Sequence, residues 1–484
     1  MKRLFALALV VLMIFALVGC GGKKREIVEV TLSTEDAEAI LAAAGITLPD
    51  AETVSAAGST IQWFAWYDPL HNYSEDEVVN TGHWTFTEKY GCTVEWIETT
   101  WAQRFDDLAN KVLGGTAPDF YPADNETFPT HALKNMFQPV DEYIDYTDPL
   151  WADMKDYVDK YFQLGGKHFA IVTDNMFESV VPYNRRVIEE WGFDDPAELY
   201  YNDEWTWDVF YDMCLDFSAP DSDRYGLDGW AYSGAIMDSC GTQVVSYDIE
   251  QNKFVSNVDD PRLERAAELL YNLSKNECIY PLWDNGWATR NGTDNEGSGV
   301  KEGLTLFYIR GSWAFTGTVD EISQNWGDIP ANELMFAPMP RNENGDGNYY
   351  LAAQPVGYHI IEGAENPEGV VLLCMCERFK ILDPTVISFD RKQLEEKYMW
   401  TEEMLEMHDI CYELANNASI VNFTSGCQPQ LRTAVQNALG GTRGNNPSTW
   451  AQSKEKYMES ITYYVDELNT LVAEQAEKLA ADGK

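Results

Sequence analysis

The chain has 484 residues with 79 acidic against 34 basic side chains, a formal charge of −45; that length exceeds what one hydrophobic core organises, so two domains are expected. No basic cluster persists beyond Lys23-Lys24-Arg25, which speaks against nucleic acid and against a second contact with anionic lipid. Hydrophobic residues make up 45% and aromatic residues 13% of the chain, with 16 Trp, enough for a large globular body; since cores also use aromatic rings, the count alone marks no ligand site.

At the N-terminus, Lys2-Arg3 precede an apolar run from Leu4 to Val18 that closes in Leu17-Val18-Gly19-Cys20. The run is short for a membrane span. The pattern resembles the lipobox of bacterial lipoproteins, which implies a signal peptide over 1–19, lipidation of the Cys20 thiol, and a place on the outer face of the cell membrane. Residues 26–59 hold no Trp, Tyr or Phe and are rich in Ala, Glu, Asp, Ser and Thr, the composition of a solvated acidic tether with one short helix over Glu35–Ala44 that Gly45 ends. The folded body is expected from Thr60.

From there strands and helices alternate. Ile61–Tyr67 predicts a first buried strand, with Trp63 in the core, and Thr93–Ile97 a second. Ala102–Leu113 predicts a helix stopped by Gly114-Gly115, followed by a short strand over Pro118–Tyr121. Lys167–Ile171 predicts a strand, and helices are expected around Asn184–Trp191 and over Pro261–Asn276, the latter capped near Asp260. Leu304–Ile309 is β-like and stops at Arg310-Gly311-Ser312, just before Trp313. From Ser453 to Ala481 the apolar residues Tyr457, Ile461, Val465, Leu468 and Leu471 mark one helix face. This alternation argues for α/β layers with largely parallel sheets.

Ligands of parallel sheets sit at strand ends, which singles out Trp66, Tyr67 and Asp68 after the first strand. Asp124, Asn125 and Glu126 follow the Pro118–Tyr121 strand and serve equally as ligand groups or as a solvated acidic loop. Besides Cys20, the eight cysteines are scattered, and spacing assigns no pairing; Cys374 and Cys376 point roughly 200° apart on a helix. Residues 342–347 follow calcium-loop spacing, but Ala353 stands where a bidentate Glu belongs, so a Gly-rich turn is expected. No zinc spacing, Walker loop or Gly-x-Ser-x-Gly motif occurs, and no spacing singles out a paired-carboxylate hydrolase site.

Six segments in order then resemble one family. They are Gly114-Gly115-Thr116-Ala117-Pro118-Asp119, Pro182-Tyr183-Asn184-Arg185-Arg186, Trp205-Thr206-Trp207-Asp208, Asp223-Arg224-Tyr225-Gly226, Tyr308-Ile309-Arg310-Gly311-Ser312-Trp313, and the helix Leu431–Ala438. Together they are similar to the extracellular solute-binding proteins of ABC importers, sugar-binding type. The resemblance implies two α/β lobes of the class II periplasmic-binding-protein-like fold, with a ligand cleft between them and crossings near Thr173–Phe177, Gln354–Gly357 and Cys411. One lobe would comprise 60–174 plus about 357–410, the other 177–353 plus about 411–484, behind a 20–59 anchor and tether.

By the same resemblance Gln103, Glu126, Asn175, Trp230, Tyr232 and Trp313 fall at ligand-contact positions. Phe177 and Gln428 depart from the family's carboxylate and stacking tryptophan there, so the ligand would not be held as maltose is. The resemblance implies no catalysis, cofactor or resident metal. Its partners would be a small molecule, an oligosaccharide first and a cationic or peptide ligand second, and permease subunits with a separate ATPase, the chain itself acting as a monomer.

Overall fold

The computed structural model describes residues 47–67, 85–229, 231–281, 297–315 and 325–482, apart from 383, 397, 418, 421 and 445, together with 39, 42 and 82. Strand β1 (Thr60–Ala65) buries Ile61, Phe64 and Ala65 completely. It pairs parallel with β2 (Thr93–Glu98) and, at Trp63, with β3 (Phe120–Pro122). Trp63 is in the core as expected, its ring 5.0 Å from Phe120 and 5.2 Å from Tyr358. Helix α1 (Arg104–Gly114) joins β2 to β3 and ends at Gly115, whose φ of 68° is left-handed and whose N–H donates to the Val112 carbonyl; glycine takes that conformation without strain.

After β3 come α2 (Thr130–Leu133), α3 (Lys155–Tyr161), and a hairpin of β4 (Gln163–Leu164) with β5 (Lys167–His168). The single strand expected over Lys167–Ile171 is thus divided. Gly165 and Gly166, both at positive φ, turn the chain back on itself, and the next strand, β6 (Ile171–Phe177), starts only at Ile171.

The second group of strands contains β7 (Val181–Asn184), β8 (Tyr225–Asp228), the hairpin β9 (Val245–Asp248) with β10 (Lys253–Ser256), β11 (Thr305–Tyr308) and β12 (Leu334–Ala337). Here β8 and β11 pair parallel, β7 and β12 antiparallel, and Val180 bridges Arg310. The helices around them are α4 (Arg185–Trp191), α5 (Pro196–Tyr201), α6 (Trp207–Phe217), α7 (Tyr232–Asp238) and α8 (Pro261–Lys275). Asn184 caps α4 by accepting from Arg186 N–H at 2.9 Å, and Asp260 caps α8 by accepting from Arg262 N–H at 2.9 Å.

One long strand, β13 (Leu351–Ile360), ties the groups together. It runs antiparallel to β6 from Ala353 opposite Phe177 to Tyr358 opposite Ile171, with a register shift between Val356 and Gly357. Its end pairs with β3 and its start with β14 (Ser419–Ile420), giving the order β14-β13-β3-β1-β2 with β6 alongside β13. The sheets are therefore mixed rather than largely parallel, because strands that pass between two strand groups and return must run both ways. Helices α9 (Pro367–Leu382), α10 (Pro384–Glu396), α11 (Glu402–Asn417), α12 (Pro429–Gly440) and α13 (Trp450–Asp482) complete the chain.

Three expectations shift. Cys411 lies buried in mid-α11, and the chain returns to β13 at β14 instead. Residues 47–59, expected as tether, dock on the body: Leu48 and Ala56 are buried, and the Tyr90 hydroxyl donates to the Pro49 carbonyl at 3.0 Å. These small apolar side chains suffice without an aromatic anchor. In α13, Ile461, Val465 and Leu468 are buried, but Leu471 is exposed while Val472 takes its place inward, the drift of a 3.6-residue turn along a 33-residue helix. All eight described cysteines are buried free thiols. The Glu35–Ala44 helix lies outside the described residues, except at 39 and 42.

Candidate functional site

The loop leaving β3 sets the first wall of the site. Asp124 Oδ1 accepts from the Glu126 N–H at 2.7 Å, and the Thr127 hydroxyl donates back to the Asp124 carbonyl at 2.6 Å, an Asx-type turn that holds the side chains of Asp124 and Asn125 at the strand end. Both line a cavity of about 480 Å³. Its other walls come from α3 (Tyr157, Tyr161), the segment between β6 and β7 (Glu178, Ser179), the start of α7, the first half of β13, the 420–425 segment, and Arg443 beyond α12. The cavity thus lies between the sheet of β1–β3 and the helix that follows β8, against the strands that join them.

Its electrostatics are lopsided. Asp124, Glu178 and Asp238 line it together with Arg443. Burial pushes Asp124 up to about 6, and burial with repulsion from Glu178 pushes Asp238 up to about 8; Glu178 is also raised by burial. Asp238 accepts a hydrogen bond from the Gln243 amide on Oδ1. Arg443 donates to the Tyr232 hydroxyl at 3.4 Å and lies 5.6 Å from that ring.

Beside Asp124 stands an aromatic group. Trp66 meets Tyr67 edge-on at 5.2 Å and Trp101 at 4.8 Å. The Arg104 guanidinium lies 3.5 Å from the Trp101 ring centroid, leaving Trp101 49% and Tyr67 41% exposed. Burial, then the carboxylates of Glu377 and Asp124, push the Tyr67 hydroxyl up to about 12, so its phenol stays a hydrogen-bond donor.

Of the residues expected to touch ligand, Asp124 and Asn125 line the cavity, and Trp66 and Tyr67 flank Asp124 in the aromatic group. The others are placed differently. Glu126 turns away into ion pairs with Arg104 and, at 3.7 Å, Arg432. Gln103 is exposed at the start of α1, bonded to Thr100. Phe177 is 2% exposed, packed edge-on against His408 at 5.2 Å, a core residue on a crossing strand. Asn175 is buried and donates to Asn416. Tyr232 is wholly buried in α7, and Gln428 donates to the Tyr464 carbonyl at 3.1 Å. The Trp313 backbone lies in a one-turn 3-10 helix, Ser312–Phe315; its side chain, and Asp68, Trp230 and Cys20 entirely, lie outside the described residues.

Most of the cavity residues not foreseen had a weak signal. Glu178 follows the expected crossing by one position, and Arg443 sits in a Gly/Asn-rich loop after a helix. Tyr157 and Tyr161, at i and i+4, read as a helix core face. Asp238 carries no signal in sequence. The 342–347 loop is a turn closed by Gly345 N–H on the Asn342 carbonyl at 3.0 Å, with Glu343 engaged by Arg265. Among the described residues no cluster of His, Cys, Asp and Glu could hold a metal.

A profile of the bacterial extracellular solute-binding proteins matches residues 84–366, more than half of the chain. The chain belongs to that family. Solved structures agree on the fold. A cyclic α-maltosyl-1,6-maltose-binding protein from Arthrobacter globiformis superposes with a TM-score of 0.60 at 12% identity, over 84% of this chain and 99% of that one. A galacto-N-biose-/lacto-N-biose I-binding protein of an ABC transporter from Bifidobacterium longum gives 0.57 at 14%, over 85% and 97%. An ABC substrate-binding protein from Listeria monocytogenes in complex with cycloalternan gives 0.56 at 13%, over 86% and 99%. No curated protein matches the sequence. The solute-binding chain therefore has the two-lobe α/β fold, and the cavity described above sits where its strands cross. Among its described residues, no helix is long and apolar enough to cross a membrane.

Proposed function

We propose that this solute-binding protein captures a carbohydrate, an oligosaccharide by preference, in the cavity beside β13 and delivers it to an ABC permease. The observation that carries the reading is the cavity itself, in which the aromatic side chains Tyr157, Tyr161 and Phe423 stand among carboxyl and amide groups drawn from both strand groups. Sugars call for flat aromatic faces against C–H groups and polar forks for paired hydroxyls. The sugar-binding titles of the structural relatives support the same class.

In this reading the lobes, 60–174 with about 357–410 and 177–353 with about 411–484, close on ligand. A ligand touching both walls favours the closed form by its differential affinity, and the permease reads that shape. The chain acts as a binder rather than a catalyst, and is tethered through lipidated Cys20. A thermal-shift screen over mono- and oligosaccharides, polyamines and peptides tests it: a true ligand at a hundred times its Kd should stabilise by about 2.7 kcal/mol and be recovered uncut. Stabilisation by peptides alone, or cleavage of the sugar, contradicts it.

A further inference from the structure

We infer that the ligand of this cavity carries a positively charged amino group, as an amino sugar does, seated between Glu178 and Asp238. The inference rests on the carbohydrate reading above and specifies its chemistry.

Three carboxyl groups face one cavity, and none of them is in an ion pair with a described residue; among the described residues Arg443 is the one cation on the walls, and it donates to Tyr232. Glu126, the neighbouring acid on the same loop, is by contrast fully occupied by Arg104 and Arg432. The protein thus neutralises the carboxylate behind the wall and sets Asp124 within reach of the Arg104 charge, while among the described residues Glu178 and Asp238 have no such cation beside them.

Two further observations point to a missing donor. Tyr157 lines the cavity, is 6% exposed, and its hydroxyl makes no hydrogen bond to a described residue. Asp238, 5% exposed, has Gln243 on Oδ1 and nothing described on Oδ2. Neutral sugar hydroxyls would satisfy these acceptors one proton at a time but bring no charge to offset two neighbouring buried carboxylates, which are costly to ionise unpaired. An ammonium brings three donors and the opposite charge at once. The raised pKa values of Asp238 and Glu178 follow from the same lack of a countercharge in a buried site.

The test is calorimetric titration of the whole mature chain with glucosamine oligomers, their N-acetylated counterparts, neutral gluco-oligosaccharides and spermidine. The deacetylated oligomers should bind at least tenfold more tightly than the acetylated ones. Glu178→Gln and Asp238→Asn, both isosteric, should each reduce that preference about tenfold while keeping the unfolding midpoint; if one variant fails to fold, the other decides. Equal or tighter binding of neutral or acetylated sugars overturns the charge assignment and leaves the carbohydrate reading standing. Binding of spermidine with no saccharide overturns the carbohydrate reading and leaves the charge assignment.

Discussion

Asn175, in the crossing strand β6, donates its side-chain amide to Asn416 Oδ1 at the end of α11 at 2.9 Å. Next to it, the Tyr412 hydroxyl donates to Asp174 Oδ1. The end of α11 is thereby fastened to the crossing strand β6. Asn175 is 1% exposed and its Oδ1 already lacks a partner, so Asn416→Ala would leave the whole amide unsatisfied. The expected cost is about 1–3 kcal/mol of stability, seen in urea unfolding. An unchanged midpoint would show that the fastening is not needed.

His168 places Nδ1 2.8 Å from Asp141 Oδ1 and Nε2 2.8 Å from Asp159 Oδ1. Both ring nitrogens therefore serve as donors only when the imidazole is protonated. Burial alone would lower its pKa, but the bonds to Asp141 and Asp159 outweigh it and the net direction is up. A raised folded-state value means that the stabilisation is complete below the unfolded value of about 6.5 and is lost as pH rises through the folded one. Asp141 runs oppositely: burial opposes, the bonds from His168 prevail, and its pKa is lowered, so its share is lost as pH falls. Wild-type protein should lose stability, relative to His168→Gln, as pH rises above the unfolded value of about 6.5; parallel profiles would contradict the pairing.

How far the sequence led can be read from single residues. The apolar run of β1 and the Gly115 stop were legible because they are local: a buried strand needs its apolar run and a helix end its left-handed residue. The departures are tertiary. Phe177 and Tyr232 were assigned to ligand by resemblance, yet burial against His408 and within α7 decides their place. Asp238 was invisible because a lone acid in an apolar helix becomes meaningful only when the fold brings Glu178 and Tyr157 to the same cavity.

Gly357 sits at the register shift between β13 and β6, and a Cβ there would lie 2.2 Å from the Ile171 carbonyl oxygen and 2.8 Å from Val172 Cα. Both are backbone atoms of the neighbouring strand and cannot swing aside. Gly357→Ala should cost about 1–3 kcal/mol or more through forced separation of the strands. A thermal melt checks it; a wild-type midpoint would mean that the strands part freely here.

Tyr157→Phe removes a hydroxyl that makes no hydrogen bond to a described residue, so stability should hold or rise slightly. Ligand affinity should fall by about 0.5–1.5 kcal/mol if the hydroxyl bonds the bound molecule. Melting and titration on the same preparation separate the two effects, and a loss of stability without a loss of affinity would assign the hydroxyl a structural role.

The central claim is that one cavity, walled by both strand groups, holds the ligand. The most direct measurement is the affinity of the saccharide found by thermal shift for Asp124→Ala and for Arg443→Ala, lining residues from the loop after β3 and the loop after α12. The account predicts a loss of at least about tenfold, roughly 1.4 kcal/mol, in each, with folded protein retained. Wild-type affinity in both variants would contradict it.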